Sequence, residues 1–452
     1  MSSKYFKIIH TSDWHLGQHF FGKSRKNEHH QFLAWLISTA VENAVDAIIV
    51  AGDIFDTGAP PSYARELYNQ FVVNLQKHNI QLVILGGNHD STATLGESKS
   101  LLAHFNTHVV PGAFADLNQH VIVLNDALDE PQAIVCAIPY LRPRDIIHSH
   151  AGDSGLEKQR NLQQAIADHY QQTYHIAQQY QQDILQQHNK SVPIIVTGHL
   201  TTVGAKTSES VRDIYIGALE AFPASAFPTA DYIALGHIHR TQKVADCEHI
   251  RYSGSPIPLS FDELGKAKSV LLACFENGTL VDVLNKQVPT FQAMYLLKGD
   301  LSTIELEIKS LAQKHQCEAN AWLHIEVSTQ DYLNDLQQHI QAMIADLPLE
   351  VLVLRRQRPL RLHSSGAKAK ETLQELSPHE VFERRLALEN WDVEEEQNRK
   401  TRIKRAFDEI LDSVNRQIMA TEEDETPESH DSEQEQDGEQ VKKGKREERS
   451  ST

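Results

Sequence analysis

The stretch FKIIHTSDWH (residues 6–15) joins a short apolar run to two side chains that can bind metal ions, Asp13 and His15. Buried strands of α/β sheets read as continuous apolar runs, and ligands bind beyond the carboxyl ends of such strands. Four further stretches repeat the arrangement: 47–51 before Asp53, 82–85 before Asn88, His89 and Asp90, 194–197 before His199, and 232–235 before His237 and His239. We therefore predict that roughly seven donor side chains meet in one pocket at the strand ends.

The segments between the first of these runs have the spacing of amphipathic helices. Apolar residues recur every three or four positions from Phe32 to Ala44 and again from Leu67 to Leu75. This β-α-β-α-β order predicts a largely parallel sheet in an α/β domain. The remaining expectations for this part of the chain are short strands in 109–139, an inserted helical hairpin over 156–190, and closing strands at 250–259 and 269–275.

A second, smaller α+β unit is predicted after the first domain, again in β-α-β-α-β order. Its strand-like runs are 294–297, 322–327 and 351–354, and amphipathic helical patterns at 302–313 and 332–344 separate them. We therefore divide the chain into a main domain at 1–285, the small domain at 286–360, a linker with helices at 361–420, and an acidic tail at 421–452.

The segment after the small domain carries a helix start and an apolar stripe. Ser377, Pro378 and Glu380 form a capping box with proline at the first helical position. Val381, Phe382 and Leu386 follow on one face of that helix, and a further helix places Ile403, Phe407, Ile410, Leu411, Val414 and Ile418 on a stripe. Such apolar faces are typical of helices that dock a partner helix or coiled coil, and packing against the small domain is an equally good interpretation.

Composition limits the remaining possibilities. The chain has 452 residues, of which 40% are apolar, as in an ordinary globular protein of two or more domains. Its four cysteines form no CxxC pair, so the sequence predicts neither a zinc knuckle nor a redox dithiol. No signal peptide opens the chain and no apolar run approaches the roughly 20 residues that cross a bilayer, which predicts a cytoplasmic protein without membrane contact.

The net charge of −18 does not by itself suggest a nucleic-acid binder. Residues 421–452, however, contain twelve acidic and five basic residues, and almost no apolar ones, so this tail is predicted to be disordered. Bound divalent cations would also offset the acidic pocket locally. The global charge is therefore weak evidence against a phosphodiester substrate.

The motif that contains Asp53 is suited to hold two cations. Gly52 permits a sharp turn at the strand end, and a carboxylate, unlike an imidazole, has two oxygens that can bridge two ions. Asp53 is therefore the candidate bridge, and Asp56 is the candidate partner that orients a ligand histidine or anchors the loop. A helix N-cap after a strand is the alternative interpretation of Asp53.

The stretch GGNHD (residues 86–90) separates a ligand from a catalytic group. Asn88 supplies a neutral carbonyl oxygen, and His89, which faces the other way, can reach a phosphate oxygen or a leaving group. Asp90 is predicted to hold the His89 ring in one tautomer. An ordinary turn is the alternative for each motif in isolation, but an ordered series of them favours a pocket.

The last two motifs complete the donor set. Alternate residues of an extended chain project to the same side, so His237 and His239 can each reach one of two neighbouring cations, and His199 completes the set. Carboxylate, amide oxygen and imidazole together suit octahedral Mn²⁺, with Fe²⁺ and Mg²⁺ as alternatives. Two such ions are the standard device for in-line displacement at phosphorus.

The series DxH, GDxxD, GNHD, GH and GHxH resembles the signature of the calcineurin-like metallophosphoesterases. Within them, the stretches 10–17, 52–56, 198–204, 208–217 and 252–256 are similar to the SbcD branch of DNA nucleases. The resemblance covers about residues 1–415. It implies a four-layer α/β/β/α sandwich, Mn²⁺-dependent cleavage of double-stranded DNA ends, a homodimer, and an SMC-like ATPase of the SbcC type gripped by the C-terminal helices.

The resemblance also implies residue roles. Asp13, His15 and His239 would hold one cation, Asn88, His199 and His237 the other, with Asp53 shared and His89 assisting the transition state. Phosphoprotein phosphatases carry an arginine after the second Asp of GDxxD, where this chain has Thr57. The candidate cations that could instead follow a DNA backbone are Arg142, Arg144, Lys206 and Arg212, each of which could equally be solvated surface charge.

We therefore expect a two-metal phosphodiesterase with exonuclease and endonuclease activity on duplex DNA ends and hairpins, controlled by ATP through its partner and acting in replication, recombination and repair. A phosphodiesterase or phosphatase for small esters is the first alternative, and it leaves residues 290–420 without a role. The second is a non-catalytic scaffold braced by its metals.

Overall fold

The computed structural model of the protein describes residues 5–147, 155–208, 210–211, 214, 221–314, 320–328, 336–356, 382, 385–386 and 403. Its strands are β1 (Phe6–Thr11), β2 (His19–Phe20), β3 (Lys23–Ser24), β4 (Ala47–Val50), β5 (Gln81–Leu85), β6 (Thr107–Val110), β7 (Val121–Asn125), β8 (Pro131–Cys136), β9 (Ile194–His199), β10 (Tyr232–Gly236), β11 (Gln242–Val244), β12 (Cys247–Tyr252), β13 (Ser269–Glu276), β14 (Thr279–Gln287), β15 (Met294–Gly299), β16 (Ala321–Val327) and β17 (Leu349–Arg356). Its helices are α1 (Lys26–Glu42), α2 (Ser62–Gln76), α3 (Thr92–Gly96), α4 (Lys99–Leu102), α5 (Pro143–Ile146), α6 (Gly155–His188), α7 (Leu301–Lys314) and α8 (Leu336–Ile344).

Two six-stranded sheets form the main body. The first has the order β14-β13-β1-β4-β5-β6, and its strands β1, β4, β5 and β6 run parallel. The second has the order β11-β12-β10-β9-β8-β7, with β12, β10, β9 and β8 parallel. The five apolar runs are strands as predicted, but they are divided between the sheets: β1, β4 and β5 lie in the first, and β9 and β10 in the second.

The burial pattern defines four layers. One face of the first sheet packs on α1 and α2 through side chains such as Phe32 and Phe71. One face of the second sheet packs on α6 through Ile166 and Tyr170. The remaining faces share a core that includes Ile49 and Ala234, so the sheets stack on each other. Because parallel strands bury both faces, they read as the unbroken apolar runs seen in the sequence. The predicted α/β/β/α class is confirmed.

The expectation of a helical hairpin over residues 156–190 is wrong. The chain forms one continuous helix there, α6, which is 34 residues long. No glycine or proline interrupts the sequence between Leu156 and Lys190, so nothing breaks the helix. Leu162, Ile166 and Tyr170 lie four residues apart on one buried stripe that covers the second sheet.

Residues beyond the second sheet form a small sheet with its own core. Strands β15, β16 and β17 are parallel neighbours in that order, and α7 and α8 connect them. The order β-α-β-α-β matches the sequence-based expectation. A second cluster joins this sheet to the main body; it consists of Phe20, Phe261, Met294, Trp322 and Val353, in which the rings of Phe20 and Trp322 stack at 5.7 Å.

Residues 360–452 form a separate unit, of which four residues are described. Phe382, Leu386 and Ile403 have helical backbone, and Leu386 is buried. The other residues predicted to bind a partner, Phe407, Ile410, Leu411 and Val414, lie outside the described residues, as do the capping box and the acidic tail. Among the described helices, none combines the length and the apolar character that a membrane crossing requires.

Candidate metal centre

The loops after β1, β4 and β5 meet at the carboxyl ends of these strands. The backbone N–H of Asp13 donates to the carbonyl of Gly52 at 3.0 Å, and that of His15 donates to the carbonyl of Asp53 at 3.1 Å. From the second sheet, the backbone N–H of His237 donates to Asp13 Oδ1 at 3.0 Å. Strand ends from both sheets therefore converge on one buried pocket, as the position of the motifs predicts.

Several of the candidate ligands adopt a strained backbone conformation. The φ angles are +54° at Asp13, +47° at His15, +52° at Asp53 and +88° at His237. Side chains other than glycine rarely adopt this left-handed region, and such strain collects at functional sites where the surrounding structure enforces it. Here the cross-loop hydrogen bonds supply that enforcement, and the resulting turns direct the donors inward.

Gly52 permits a close approach between the two sheets at this pocket. Its φ angle is +94°, and a β-carbon added there would lie 2.3 Å from Nδ1 of His199. Gly22 has a similar φ angle of +83°, but no described heavy atom lies within 4 Å of its added β-carbon. A side chain at either glycine would strain the backbone, but only a side chain at Gly52 would also clash with His199.

We expect Gly52→Ala to destabilise the protein more than Gly22→Ala. The conformational strain costs about 1–2 kcal/mol at either position, whereas overpacking adds roughly 1–3 kcal/mol only at Gly52. Urea unfolding followed by circular dichroism measures both free energies of unfolding. Equal losses in the two variants would show that His199 is not confined by Gly52.

The Asp53 carboxylate lies between two imidazoles. Its Oδ2 atom is 3.6 Å from Nε2 of His15 and 3.3 Å from Nε2 of His199, while Oδ1 accepts from the backbone N–H of His89 at 2.9 Å. Oδ2 is buried and has no hydrogen-bond partner among the described residues. Oδ1 thus holds the loop that bears His89, whereas Oδ2 lies in the pocket between two potential sets of metal ligands.

Three of the histidines have Nδ1 held by an oxygen outside the pocket. Nδ1 lies 3.2 Å from Asp56 Oδ1 in His15, 2.8 Å from the Ala51 carbonyl in His199, and 3.2 Å from Glu263 Oε1 in His239. Such contacts fix the tautomer and ring orientation of metal-ligating histidines and direct Nε2 to the ion. Asp56 is therefore placed where it orients His15.

Asn88 closes the other side of the pocket. Its Oδ1 is 2.9 Å from Nε2 of His199 and 3.1 Å from Nδ1 of His237. His237 is 2% exposed, and its Nε2 also lacks a hydrogen-bond partner among the described residues. Buried polar atoms without partners are rare, and the capacity to bind an ion is a standard explanation for them.

The electrostatics of the pocket concentrate negative charge on Asp53. Burial opposes ionisation, but the neighbouring His199 and His15 outweigh it and hold the pKa of Asp53 well below its usual range. For His199, burial lowers the pKa, yet the Asp53 carboxylate raises it to about 9. A cation that takes Nε2 of His199 as a ligand must therefore displace a proton.

The donors fall into groups that fit two divalent ions. In each of three trios, one ligand atom per residue lies within 4.8 Å of the others: Asp13, His15 and His239; His15, Asp53 and His89; and Asp53, His199 and His237. The first trio contains three of the donors assigned to one cation, and the third, with Asn88 beside it, contains the donors assigned to the other. Oxygen and imidazole donors without thiolate suit Mn²⁺, Fe²⁺ or Mg²⁺.

The structure corrects the role assigned to Asp90. Its carboxylate accepts hydrogen bonds of 2.9–3.1 Å from the backbone N–H groups of Ile54, Phe55 and Gly87. Asp90 therefore connects the loop after β4 to the loop after β5. His89 instead places Nδ1 2.7 Å from the carbonyl oxygen of Asp56. The direction of an Asp side chain depends on backbone amides brought in by another loop, which residue spacing does not reveal.

The four candidate DNA contacts differ in their surroundings. The Arg142 guanidinium donates a hydrogen bond of 2.8 Å to the backbone carbonyl of Asp90. Asp90 is the residue that directly follows His89 in the chain. Arg144 has 79% of its side chain exposed, and Lys206 is exposed as well. Arg212 lies outside the described residues. Arg142 is thus the candidate with a defined position beside the pocket.

Sequence reasoning missed a buried polar cluster behind His239. Glu263, which is 4% exposed, accepts from Lys268 Nζ at 2.5 Å and lies beside His239 and Ser210. None of these three new residues follows an apolar strand, so the pattern that identified the other donors could not include them. Ser210 lies in the stretch 208–217 that resembles the SbcD branch, but only the tertiary structure shows that the three side chains lie together near His239.

The chain is similar to known protein families over most of its length. Residues 6–241 match the family described as calcineurin-like phosphoesterase, and residues 290–390 match the Type 5 capsule protein repressor C-terminal domain. The chain is 55% identical to the D subunit of nuclease SbcCD from Escherichia coli (strain K12) over 391 residues, which cover 86% of this chain and 95% of that protein.

More distant relatives bear the same name. The protein from Rhodobacter capsulatus is 30% identical over 83% of this chain and 93% of its own length. The protein from Bacillus subtilis is 28% identical over 73% of this chain and 80% of its own length. The similarity therefore spans both the layered body and the small sheet, and the chain belongs to the calcineurin-like phosphoesterases, a hydrolase family, and within them to the family of SbcD nuclease subunits.

Proposed function

We propose that this protein is a two-metal phosphodiesterase that cleaves double-stranded DNA at ends and hairpins. The observation that carries the proposal is Asp53 Oδ2, a buried carboxylate oxygen without a hydrogen-bond partner among the described residues, 3.6 Å from Nε2 of His15 and 3.3 Å from Nε2 of His199. A carboxylate between two imidazole groups is suited to bridge two cations, which is the requirement of two-metal phosphoryl chemistry.

We assign Asp13, His15 and His239 to one cation and Asn88, His199 and His237 to the other, with Asp53 shared. The ions, Mn²⁺ by our proposal and Mg²⁺ or Fe²⁺ as alternatives, would supply Lewis acidity and a water of lowered pKa. The protein itself fixes the orientation of the ligand side chains. The Ala51 carbonyl and the carboxylate of Asp56 hold the rings of His199 and His15, so the donor atoms need no rearrangement on binding.

His89 is assigned to the transition state. The Asp56 carbonyl can only accept a hydrogen bond, so Nδ1 of His89 carries the hydrogen across the 2.7 Å contact. Proton exchange with a phosphoryl oxygen or a leaving group is then the task of Nε2. Arg142 is fixed next to this residue through the Asp90 carbonyl, where its charge would attract a DNA phosphate. Arg144, Lys206 and Arg212 are assigned to more distant phosphates.

A DNA substrate is favoured over small phosphate esters by the rest of the chain. The relatives named as nuclease subunits align over more than the phosphoesterase body, to 95% of the length of the Escherichia coli protein. Thr57 occupies the position directly after the second Asp of GDxxD, where phosphoprotein phosphatases carry an arginine. We assign residues 1–285 to the nuclease domain and 286–360 to a capping domain that contacts DNA. With DNA as substrate, we place the protein in the cytoplasm.

The assembly is proposed from the relatives as well. Their name, SbcCD, specifies a complex with a second component, SbcC, and we propose that this chain joins an SMC-like ATPase of the SbcC type as a homodimer within a heterotetramer. Residues 361–420 would bind that partner, through Phe382, Leu386 and Ile403 among others. ATP would then control access to the site in replication, recombination and repair.

The test is digestion of linear duplex DNA with Mn²⁺, with and without the ATPase partner and ATP, beside hydrolysis of a nitrophenyl phosphate ester. We expect Mn²⁺-dependent shortening of the DNA that increases when the partner and ATP are present. Turnover of the small ester alone would indicate a phosphatase. Two bound cations with no turnover of either substrate would indicate a scaffold, and both results contradict the proposal.

A further inference from the structure

We infer that Glu263 is a positioning residue that fixes the His239 imidazole for metal binding, an inference that rests on the proposed function. The carboxylate lies behind the ring, on the side away from the pocket: Oε1 is 3.2 Å from Nδ1 of His239, while Nε2 is 4.0 Å from Asp13 Oδ1. The side chains of Glu263 and His239 are only 1% and 3% exposed. A carboxylate in this relation to a ligand histidine fixes its tautomer and increases its basicity.

A serine adds a second route between the same two residues. Ser210 Oγ is 2.6 Å from Nδ1 of His239 and donates its hydrogen to Glu263 Oε1. Since that hydroxyl gives its hydrogen to the carboxylate, it can accept the Nδ1 hydrogen of the ring. Both the direct and the relayed contact therefore end at the same oxygen of Glu263, and both leave Nε2 facing Asp13.

The carboxylate is itself held from several directions. Oε1 accepts from Ser208 at 2.9 Å, and Oε2 accepts from the backbone N–H of Leu259 at 3.0 Å and from Lys268 Nζ at 2.5 Å. Lys268 also donates to the backbone carbonyl of His239 at 3.0 Å. A buried carboxylate whose oxygens all have hydrogen-bond partners is held in one position, whereas a buried carboxylate with too few partners would destabilise the fold.

The segment that bears Glu263 is anchored on its other side. Glu263 ends a short helical turn that begins at Phe261, and the Phe261 ring packs against Phe20 and lies 5.1 Å from the ring of His324 in the small sheet. The turn is thus fixed between the aromatic cluster and the metal centre. These contacts explain how Glu263, which lies outside all five motifs, can position the metal ligand His239.

The test replaces Glu263 by glutamine, which keeps the shape and an accepting oxygen but removes the charge. We expect the affinity for one of the two Mn²⁺ ions to fall about 10–100-fold, with the other retained. Cleavage of linear duplex DNA should lose kcat by a similar factor without a change in KM, and excess Mn²⁺ should restore it. Titration followed by electron paramagnetic resonance distinguishes a coupled pair of Mn²⁺ from a single ion.

The matched control is Glu248→Gln, because Glu248 pairs with Lys243 and Arg251 at a position where 65% of its side chain is exposed. It should behave as the unaltered protein. Ser210→Ala should have a smaller effect than E263Q, since the direct contact of Glu263 remains. If E263Q fails to fold because Lys268 is left unpaired, the double variant E263Q/K268M removes both charges and replaces it in every measurement.

The outcomes separate the two hypotheses. If the unaltered protein binds two Mn²⁺ and the Glu263 variant binds both with the same affinities, the inference about Glu263 is wrong and the proposed function stands. A larger effect of Ser210→Ala than of E263Q would assign the positioning role to the serine and also overturn the inference. If the unaltered protein binds fewer than two Mn²⁺, the proposed function itself fails.

Discussion

Asp53→Asn is expected to abolish the paired binding of two cations and to slow DNA cleavage by about 10³-fold or more, a loss of roughly 4 kcal/mol of transition-state stabilisation. The amide retains one oxygen, which can still accept the His89 backbone N–H now bound by Oδ1 at 2.9 Å. It loses the second anionic oxygen, which lies between His15 and His199. The loop should therefore keep its shape while the bridge is removed.

Calorimetric titration with Mn²⁺ and the duplex DNA assay measure the two effects. Asp231→Asn is the matched control, because Asp231 also accepts a backbone N–H, from Ile194 at 2.8 Å, but at the opposite end of β9 from the pocket. That variant should bind two ions and retain activity. Normal binding of two Mn²⁺ by Asp53→Asn would refute the assignment of the bridge.

His89→Asn is expected to spare metal binding and to reduce kcat by about 10²–10⁴-fold, the usual contribution of a positioned acid or base. The asparagine amide can donate to the Asp56 carbonyl, which Nδ1 of His89 approaches at 2.7 Å. It has no counterpart of Nε2, the atom assigned to proton exchange. The substitution thus removes the proposed chemistry with little change to the loop.

Single-turnover cleavage and a Mn²⁺ titration distinguish the alternatives for this residue. His89 also lies within reach of a shared ion with His15 and Asp53, so loss of one Mn²⁺ in the variant would identify it as a ligand instead. The exposed His78 after α2 provides the control, and His78→Asn should change neither quantity. An active His89→Asn variant would exclude a catalytic role.

The donors of the pocket were predictable because each belongs to a local pattern. Asp13, Asp53 and Asn88 follow apolar runs that form β1, β4 and β5, and the carboxyl ends of parallel neighbours lie at one sheet edge. In the second sheet, His199 ends β9 and His237 follows β10. The layered body was predictable through the family resemblance, since apolar runs alone do not reveal that the five strands divide between two sheets.

Breaks in the pattern explain the errors. The predicted hairpin over residues 156–190 is one helix, α6, because no glycine or proline between residues 156 and 190 ends it. Adjacency in sequence predicts that Asp90 contacts His89, but its carboxylate oxygens accept the backbone N–H groups of Ile54 and Phe55 instead. Contacts between different loops decided both the direction and the role of that side chain.

The sequence by itself determined which donor atoms stand at the strand ends, because an apolar run and the residue after it are joined covalently. The tertiary structure alone decided which atoms meet across the two sheets. The His237 amide reaches Asp13 over 224 residues, and Ser12 contacts Ser253 over 241. It also placed Glu263 behind His239, a contact that no spacing encodes, since burial in a shared core, not position along the chain, brings these carboxylate and imidazole groups together.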